Sequence, residues 1–89
     1  MADKSIVLVQ GEDVPVAGLR VDLVDALDPR IVVGAVTDAT GKAVFTGVPA
    51  GKYVVAPGGG RVLESPASTT WVGSCRNCGY EERFRVIPA

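Results

Sequence analysis

The sequence predicts an all-β protein, folded as a single antiparallel β-sandwich of about seven or eight short strands. Three observations support this fold class. Apolar residues recur at every second position, and the helical period of about 3.6 residues is missing. Turn-forming residues interrupt the apolar segments about every ten residues, and no window of about that length carries a helical stripe. Two facing sheets need this pattern, because each strand turns alternate residues into the core.

Each strand is predicted from a β-branched or alternating segment that ends in turn residues. The clearest is residues 19–26, where Leu19, Val21 and Leu23 lie on one face of the strand. The last two segments are predicted to face each other as a hairpin. The predicted strands are residues 5–10, 19–26, 31–38, 42–48, 53–57, 61–65, 68–74 and 80–87.

The chain of 89 residues is long enough for one domain, so residues 1–89 are assigned to one sandwich. Its core is predicted from apolar residues placed to face inward along the strands. These residues are Val7, Val9, Val21, Leu23, Val33, Val36, Phe45, Tyr53, Val55, Trp71, Phe84 and Val86.

Composition narrows the function. The chain has no histidine, which removes the commonest general base and the Ser-His nucleophile pairs, so we expect no catalysis. The formal net charge is −1 without a basic block, so nucleic acid is not an expected partner.

No apolar run approaches the ~20 residues of a membrane span. The N-terminus lacks the pattern of a signal peptide. We therefore expect synthesis in the cytoplasm. Incorporation into a virion is one route by which the protein would leave the cell.

Three segments carry a recognisable pattern. Residues 15–23 read Pro-Val-x-Gly-x-x-Val-x-Leu, residues 37–45 Thr-Asp-x-x-Gly-x-Ala-x-Phe, and residues 49–55 Pro-x-Gly-x-Tyr-Val-Val. Together they resemble the prealbumin-like sandwich modules, which include the carboxypeptidase regulatory-like domains and the Cna B-type repeats of bacterial surface proteins. The resemblance covers about half of the chain and implies an immunoglobulin-like or prealbumin-like β-sandwich. Fold alone does not establish a function.

The residues of this pattern have structural roles. Gly18 is expected to let the chain turn into the second strand, and Gly41 and Gly51 to adopt positive φ. The turn at residues 38–42 is expected to be capped by the Asp38 carboxylate. Tyr53 is expected to fill the core while its hydroxyl reaches a backbone group. Trp71 is expected in the core, with an exposed binding anchor as its alternative.

Two activities found in the wider fold group are not expected in this chain, because it lacks the residues that they require. Hydroxyisourate hydrolases of the transthyretin kind use histidines and a Tyr-Arg-Gly-Ser ending, whereas this chain ends Arg-Val-Ile-Pro-Ala. Cna B-type modules often join a first-strand lysine to a last-strand Asn or Asp. Lys4 lies near the first strand, but residues 80–87 contain neither Asn nor Asp. We therefore expect no internal isopeptide bond, and a mass about 17 Da below the sequence mass would contradict this.

The Cys-x-x-Cys-Gly sequence at Cys75 and Cys78 is the strongest chemical motif. A closed zinc site needs four ligands, so this pair would need Glu81, Glu82 or a second chain to complete it. The alternatives are a small disulfide staple, free thiols at a hairpin tip and a redox pair. We therefore expect no cofactor, with a zinc ion shared between chains as the alternative.

Two further sets of charged residues have both a structural and a functional interpretation. The acids Asp22, Asp25, Asp28 and Asp38 could bind calcium at one end of the sandwich, although their spacing matches no EF-hand loop. The charged strand at residues 80–87 is expected to be a solvated face rather than a recognition strand.

The expected function is a non-catalytic structural or interaction module. It would dock on a larger assembly or on copies of itself, in the manner of a phage capsid decoration (cement) protein, a comparison made at the level of the fold. The alternatives are a ligand-binding or adhesion module for carbohydrate or calcium, and a zinc or redox protein centred on the cysteine pair.

Overall fold

The computed structural model describes residues 2–65, 68–73 and 81–88, and in these ranges the chain forms strands and turns without helix. The predicted all-β class is confirmed. No helix in these ranges is long and apolar enough to cross a membrane. The strands are β1 (Ala2–Gln10), β2 (Val14–Pro15), β3 (Arg20–Asp25), β4 (Val32–Val36), β5 (Lys42–Val48), β6 (Gly51–Pro57), β7 (Arg61–Leu63), β8 (Thr69–Val72) and β9 (Glu81–Pro88).

The strands form two sheets. Sheet A contains β1, β2, β5, β7 and β9, and sheet B has the order β4-β3-β6-β8. Every pairing is antiparallel except that of β1 with β9, which is parallel. β2 was not predicted, because two residues are too few to show alternation.

The predicted hairpin between the last two strands is wrong. β8 pairs with β6 in sheet B, with Trp71 opposite Lys52. β9 lies in sheet A, where it pairs with β1 and places Phe84 opposite Leu8. Adjacent strands in sequence usually pair, but β8 and β9 lie in different sheets and each pairs with another strand.

The core lies between the two sheets. Ile6, Leu8, Val21, Leu23 and Tyr53 are completely buried there. Most predicted core residues are confirmed as buried, and Val33 and Phe84 pack against the core while remaining partly exposed. The confirmed buried residues are Val7, Val9, Val21, Leu23, Phe45, Tyr53, Val55 and Val86.

The prediction that Val36 is buried is wrong. Val36 is 58% exposed, whereas Val33 and Ala35 of the same strand pack against the core. Side chains of a strand alternate between its faces, so Val33 and Val36 cannot face the same side. The core position belongs to Ala35, whose small side chain gave a weaker signal.

Tyr53 of β6 is buried in the core between the sheets, as predicted. Its ring is fully buried, and its hydroxyl donates a hydrogen bond to the Pro49 carbonyl oxygen at 2.6 Å. Burial raises the pKa of this hydroxyl, and the nearby Asp25 carboxylate adds to the effect. Gly51, at the start of the same strand, has a φ of +156°.

The capped turn between β4 and β5 is also confirmed. The Asp38 carboxylate accepts hydrogen bonds from the Thr40 hydroxyl at 2.6 Å, the Thr40 N–H at 2.8 Å and the Lys42 N–H at 3.1 Å. These bonds, led by the one from the hydroxyl, lower the pKa of Asp38. Gly41 of this turn has the predicted positive φ, +79°, and Gly18, in the turn before β3, has a φ of +69°.

Candidate functional site

Sheet B turns a largely apolar face to solvent. The register places Val32, Val24 and Val54 in one row across β4, β3 and β6, and Thr69 of β8 ends the row. Val32 is 48% exposed. We call this surface the Trp71 face, and it comprises Arg20, Asp22, Val24, Val32, Gly34, Val36, Lys52, Val54, Ala56, Thr69 and Trp71.

The outward side of sheet A around β9 has a different character. Lys42 forms an ion pair with Glu81 at 2.9 Å, and Arg85 contacts Asp13 at 2.7 Å and Glu64 at 3.3 Å. Exposed ion pairs of this kind contribute little energy but remain well hydrated. Glu81 and Arg85 thus give β9 solvated, paired charges on this face, in line with the expectation for this strand.

Trp71 stands out on its face, and its predicted place in the core is wrong. The indole is 50% exposed, whereas the flanking Thr70 and Val72 are buried. Because Thr70 and Val72 both face inward, alternation along β8 forces the residue between them outward. The ammonium of Lys52 lies 5.8 Å from the centre of the indole ring, within the range of a cation–π contact.

A hollow of about 310 Å³ lies beside the indole. Leu27, at the tip of the β3–β4 connection, borders it and is 97% exposed. This tip is shaped by Asp25, whose carboxylate accepts hydrogen bonds from the N–H groups of Leu27 at 2.8 Å and Asp28 at 3.1 Å. The residues that line the hollow are Asp25, Ala26, Leu27, Ala50, Gly51, Lys52 and Trp71.

A buried polar network holds β8, which carries Trp71. The Lys4 side chain is 1% exposed, and its ammonium donates hydrogen bonds to the Trp71 carbonyl oxygen at 3.1 Å and to Glu82 Oε1 at 2.9 Å. The same Oε1 atom accepts a hydrogen bond from the Thr70 hydroxyl at 2.6 Å. Lys4 and Glu82 belong to sheet A and Thr70 and Trp71 to sheet B, so the network joins the sheets.

The acidic residues weighed for calcium are engaged in other contacts. Asp22 pairs with Arg20 at 3.1 Å, Asp28 pairs with Arg30 at 3.0 Å, and Asp25 and Asp38 cap turns. The hydrogen bonds from Arg30 lower the pKa of Asp28. Within the described ranges, no three His, Cys, Asp or Glu residues gather in a group that could hold a metal ion.

Cys75 and Cys78 lie outside the described residues, so the zinc, disulfide, thiol and redox alternatives stay predictions. The two acids named as additional zinc ligands do have described contacts. Glu81 pairs with Lys42, and Glu82 pairs with Lys4.

The fold and site define a class and no more: a small all-β sandwich with an exposed tryptophan on one sheet. No protein-family model matches the chain. No curated protein matches it significantly.

Part of this site is predictable from the sequence. A binding anchor is the alternative prediction for Trp71, beside the favoured place in the core. Lys52 and Leu27 were missed, because each reaches the indole only through strand pairing and the turn at Asp25. Thr70 and Val72 were the signal that could have predicted an exposed Trp71. Both can face inward, and alternation then directs the residue between them outward.

Proposed function

We propose that this protein is a non-catalytic interaction module that docks on a protein surface through the Trp71 face. The observation that carries the proposal is the half-exposed indole beside the exposed Leu27. Tryptophan is enriched among the residues that dominate binding energy, because one side chain buries a large apolar area with few rotamers to order.

The chemistry of the face indicates the partner. Val24, Val32 and Val54 supply an apolar surface, and Lys52 places a positive charge against the indole. A complementary surface would offer an apolar knob or shallow pocket for Trp71, with a carboxylate near Lys52. A protein surface meets these needs better than nucleic acid does, because the chain has nine basic and ten acidic residues.

Two finer assignments belong to the same proposal. The turn and core residues between Pro15 and Val55 support a prealbumin-like topology, and a two-sheet sandwich is compatible with it. A structural role on a larger assembly, such as a capsid decoration protein, extends this by analogy with other small sandwiches. In that role the Trp71 face would be the side that meets the assembly.

Replacement of Trp71 tests the proposal. Wild-type protein mixed with large particles purified from its producing cells should sediment with them and saturate at a fixed ratio. Trp71→Ala should weaken this binding at least about 30-fold, the effect typical of a central aromatic anchor. Trp71→Phe should keep a large part of the binding, since it retains an aromatic ring.

Val44→Ala is the matched control, because Val44 is 47% exposed and lies on sheet A. We expect this variant to bind like the wild type. Docking through the Trp71 face is refuted if the wild type fails to sediment with any particle, or if Trp71→Ala and Val44→Ala bind equally well.

A second candidate function is carbohydrate binding. The hollow of about 310 Å³ is at the small end of the size range for ligand sites, and an indole forms one wall. Asp25 and Lys52 could exchange hydrogen bonds with sugar hydroxyls. This alternative rests on the hollow alone, whereas protein docking also uses the apolar row across the sheet.

The two candidates separate by fluorescence. Trp71 is the only tryptophan in the chain, so the intrinsic tryptophan emission reports on this site directly. A glycan that enters the hollow should change the emission in a saturable way, and Asp25→Asn should weaken its binding. An emission spectrum unchanged by a panel of mono- and oligosaccharides at about 10 mM would remove this candidate.

A further inference from the structure

β4 is an edge strand with open backbone groups. Within the described ranges it pairs with β3 alone. The Asp25 N–H donates a hydrogen bond to the Ile31 carbonyl oxygen, and the Thr37 N–H donates one to the Leu19 carbonyl oxygen, both at 2.9 Å. These two bonds show which residues of β4 are hydrogen-bonded to β3. Residues of odd number in β4 therefore bond to β3, and the N–H and C=O groups of the even-numbered residues point away from β3.

The side chains of this edge offer no protection against pairing. Val32 is 48% exposed and Val36 is 58% exposed, and Val32–Val36 contains no charged residue and no proline. Natural edge strands are usually blocked by such residues or by a covering group. The opposite edge of sheet B illustrates this, because the Lys4 ammonium binds the Trp71 carbonyl oxygen there.

The open edge is symmetric about Gly34. Moving two residues from Gly34 in either direction reaches an exposed valine, Val32 or Val36. A two-fold contact requires such self-complementarity, because the same strand must serve as both partners. An unrelated partner would have no need for this symmetry.

We propose that β4 pairs antiparallel with β4 of a second copy of this chain, around a two-fold axis at Gly34. The pairing sets Gly34 opposite its own counterpart and Val32 opposite Val36 of the second copy. Each outward N–H then meets a C=O, and the two four-stranded sheets become one continuous sheet.

The charges near the axis are compatible with this arrangement. Arg20 and Asp22 form an ion pair at 3.1 Å, and a Cβ added at Gly34 would fall against the ends of both side chains. The pair therefore overhangs Gly34. The two-fold axis would bring two such pairs together with no net charge, so that each guanidinium has a carboxylate of the second copy within its reach.

Sedimentation equilibrium tests the proposal on the full chain. The contact is smaller than a typical stable interface, so we expect a dissociation constant between about 10 µM and 1 mM and a dimer of twice 9.2 kDa. Val32→Lys with Val36→Lys should raise that constant at least about tenfold, because like charges would face each other across the axis. Trp71→Ala should leave it unchanged, since Trp71 lies on β8, at the opposite edge of sheet B from β4.

Val44→Lys with Val62→Lys is the matched control, because both valines are exposed and both lie on sheet A. This variant should dimerise like the wild type. Circular dichroism should show that both double variants remain folded, which is expected because the substituted positions are exposed. A wild type that stays monomeric at about 1 mM overturns the proposal, as does equal weakening by the two double variants.

A charge exchange locates the axis. Arg20→Glu makes the charges at the axis acidic and Asp22→Lys makes them basic, so each variant alone should dimerise more weakly than the wild type. A mixture of the two should recover dimers, each containing one chain of either kind. Absence of that recovery would rule out an axis at Gly34.

Discussion

Replacement of Lys4 by methionine is expected to lower the free energy of unfolding by about 3 kcal/mol. The Lys4 ammonium is enclosed between the sheets, where it binds Glu82 and the Trp71 carbonyl oxygen. Methionine fills a similar volume but leaves both acceptors without this donor. An unpaired carboxylate in such a place is costly, although the 35% exposure of Glu82 moderates the effect.

Urea unfolding of a short series of variants measures this effect. Lys4→Met combined with Glu82→Met should regain most of the lost stability, because no charge is then left unpaired. Lys52→Met is the control, since Lys52 is an exposed lysine, and we expect it to change the free energy of unfolding by less than about 1 kcal/mol. Equal stabilities of Lys4→Met and Lys52→Met would show that the buried network does not stabilise the fold.

Gly41→Ala is expected to lower the free energy of unfolding by a similar amount, about 3 kcal/mol. Two causes add. Gly41 has a φ of +79°, which an L-residue with a Cβ adopts at a cost. The added Cβ would also lie 2.6 Å from the Leu8 carbonyl oxygen, which already accepts a hydrogen bond from the Val16 N–H. That contact is with backbone of β1, so it cannot be relieved by rotating a side chain.

Gly60→Ala separates the two causes. Gly60 has a similar φ of +73°, but a Cβ there would meet nothing within 4 Å. We therefore expect Gly60→Ala to cost about 1 kcal/mol, the contribution of backbone conformation alone. If thermal or urea unfolding gave the same loss for both variants, the close approach of Gly41 to β1 would have no energetic weight.

Short-range patterns predicted a large part of the fold. The alternation of Leu19, Val21 and Leu23 gave the face of β3 that is buried. Asp38 and Gly41 gave the turn, because capping and positive φ depend on residues within a few positions of each other. Tyr53 was placed correctly in the core for a related reason: its position after Gly51 belongs to a pattern that is local in sequence.

The errors have two sources. Apolar character predicts Val36 and Trp71 in the core, although alternation with their neighbours in sequence directs both outward. β1 was predicted from its β-branched residues, but its six residues from Lys4 to Val9 are buried irrespective of face. A strand buried on both faces typically reads as a continuous apolar run, as residues 6–9 do, but the run does not show which strands lie beside it.

Lys4 is the clearest case of a residue whose role the sequence could not show. In sequence it is a charged residue near the N-terminus, considered only for a bond to the last strand. In the structure it does reach the last strand, through an ion pair with Glu82. The expectation that no isopeptide bond forms stays a prediction, which the intact mass of the protein can check.

The sequence by itself determined the all-β class, the positions of most strands, the capped turn at Asp38 and the buried ring of Tyr53. Each depends on periodicity or turn chemistry within about ten residues. Only the tertiary structure decided that β8 and β9 lie in different sheets, that Lys4 joins those sheets, and that Trp71 faces solvent beside Lys52. The physical reason is that strand pairing acts between residues far apart in the chain, and these pairings determine which surface remains exposed for binding.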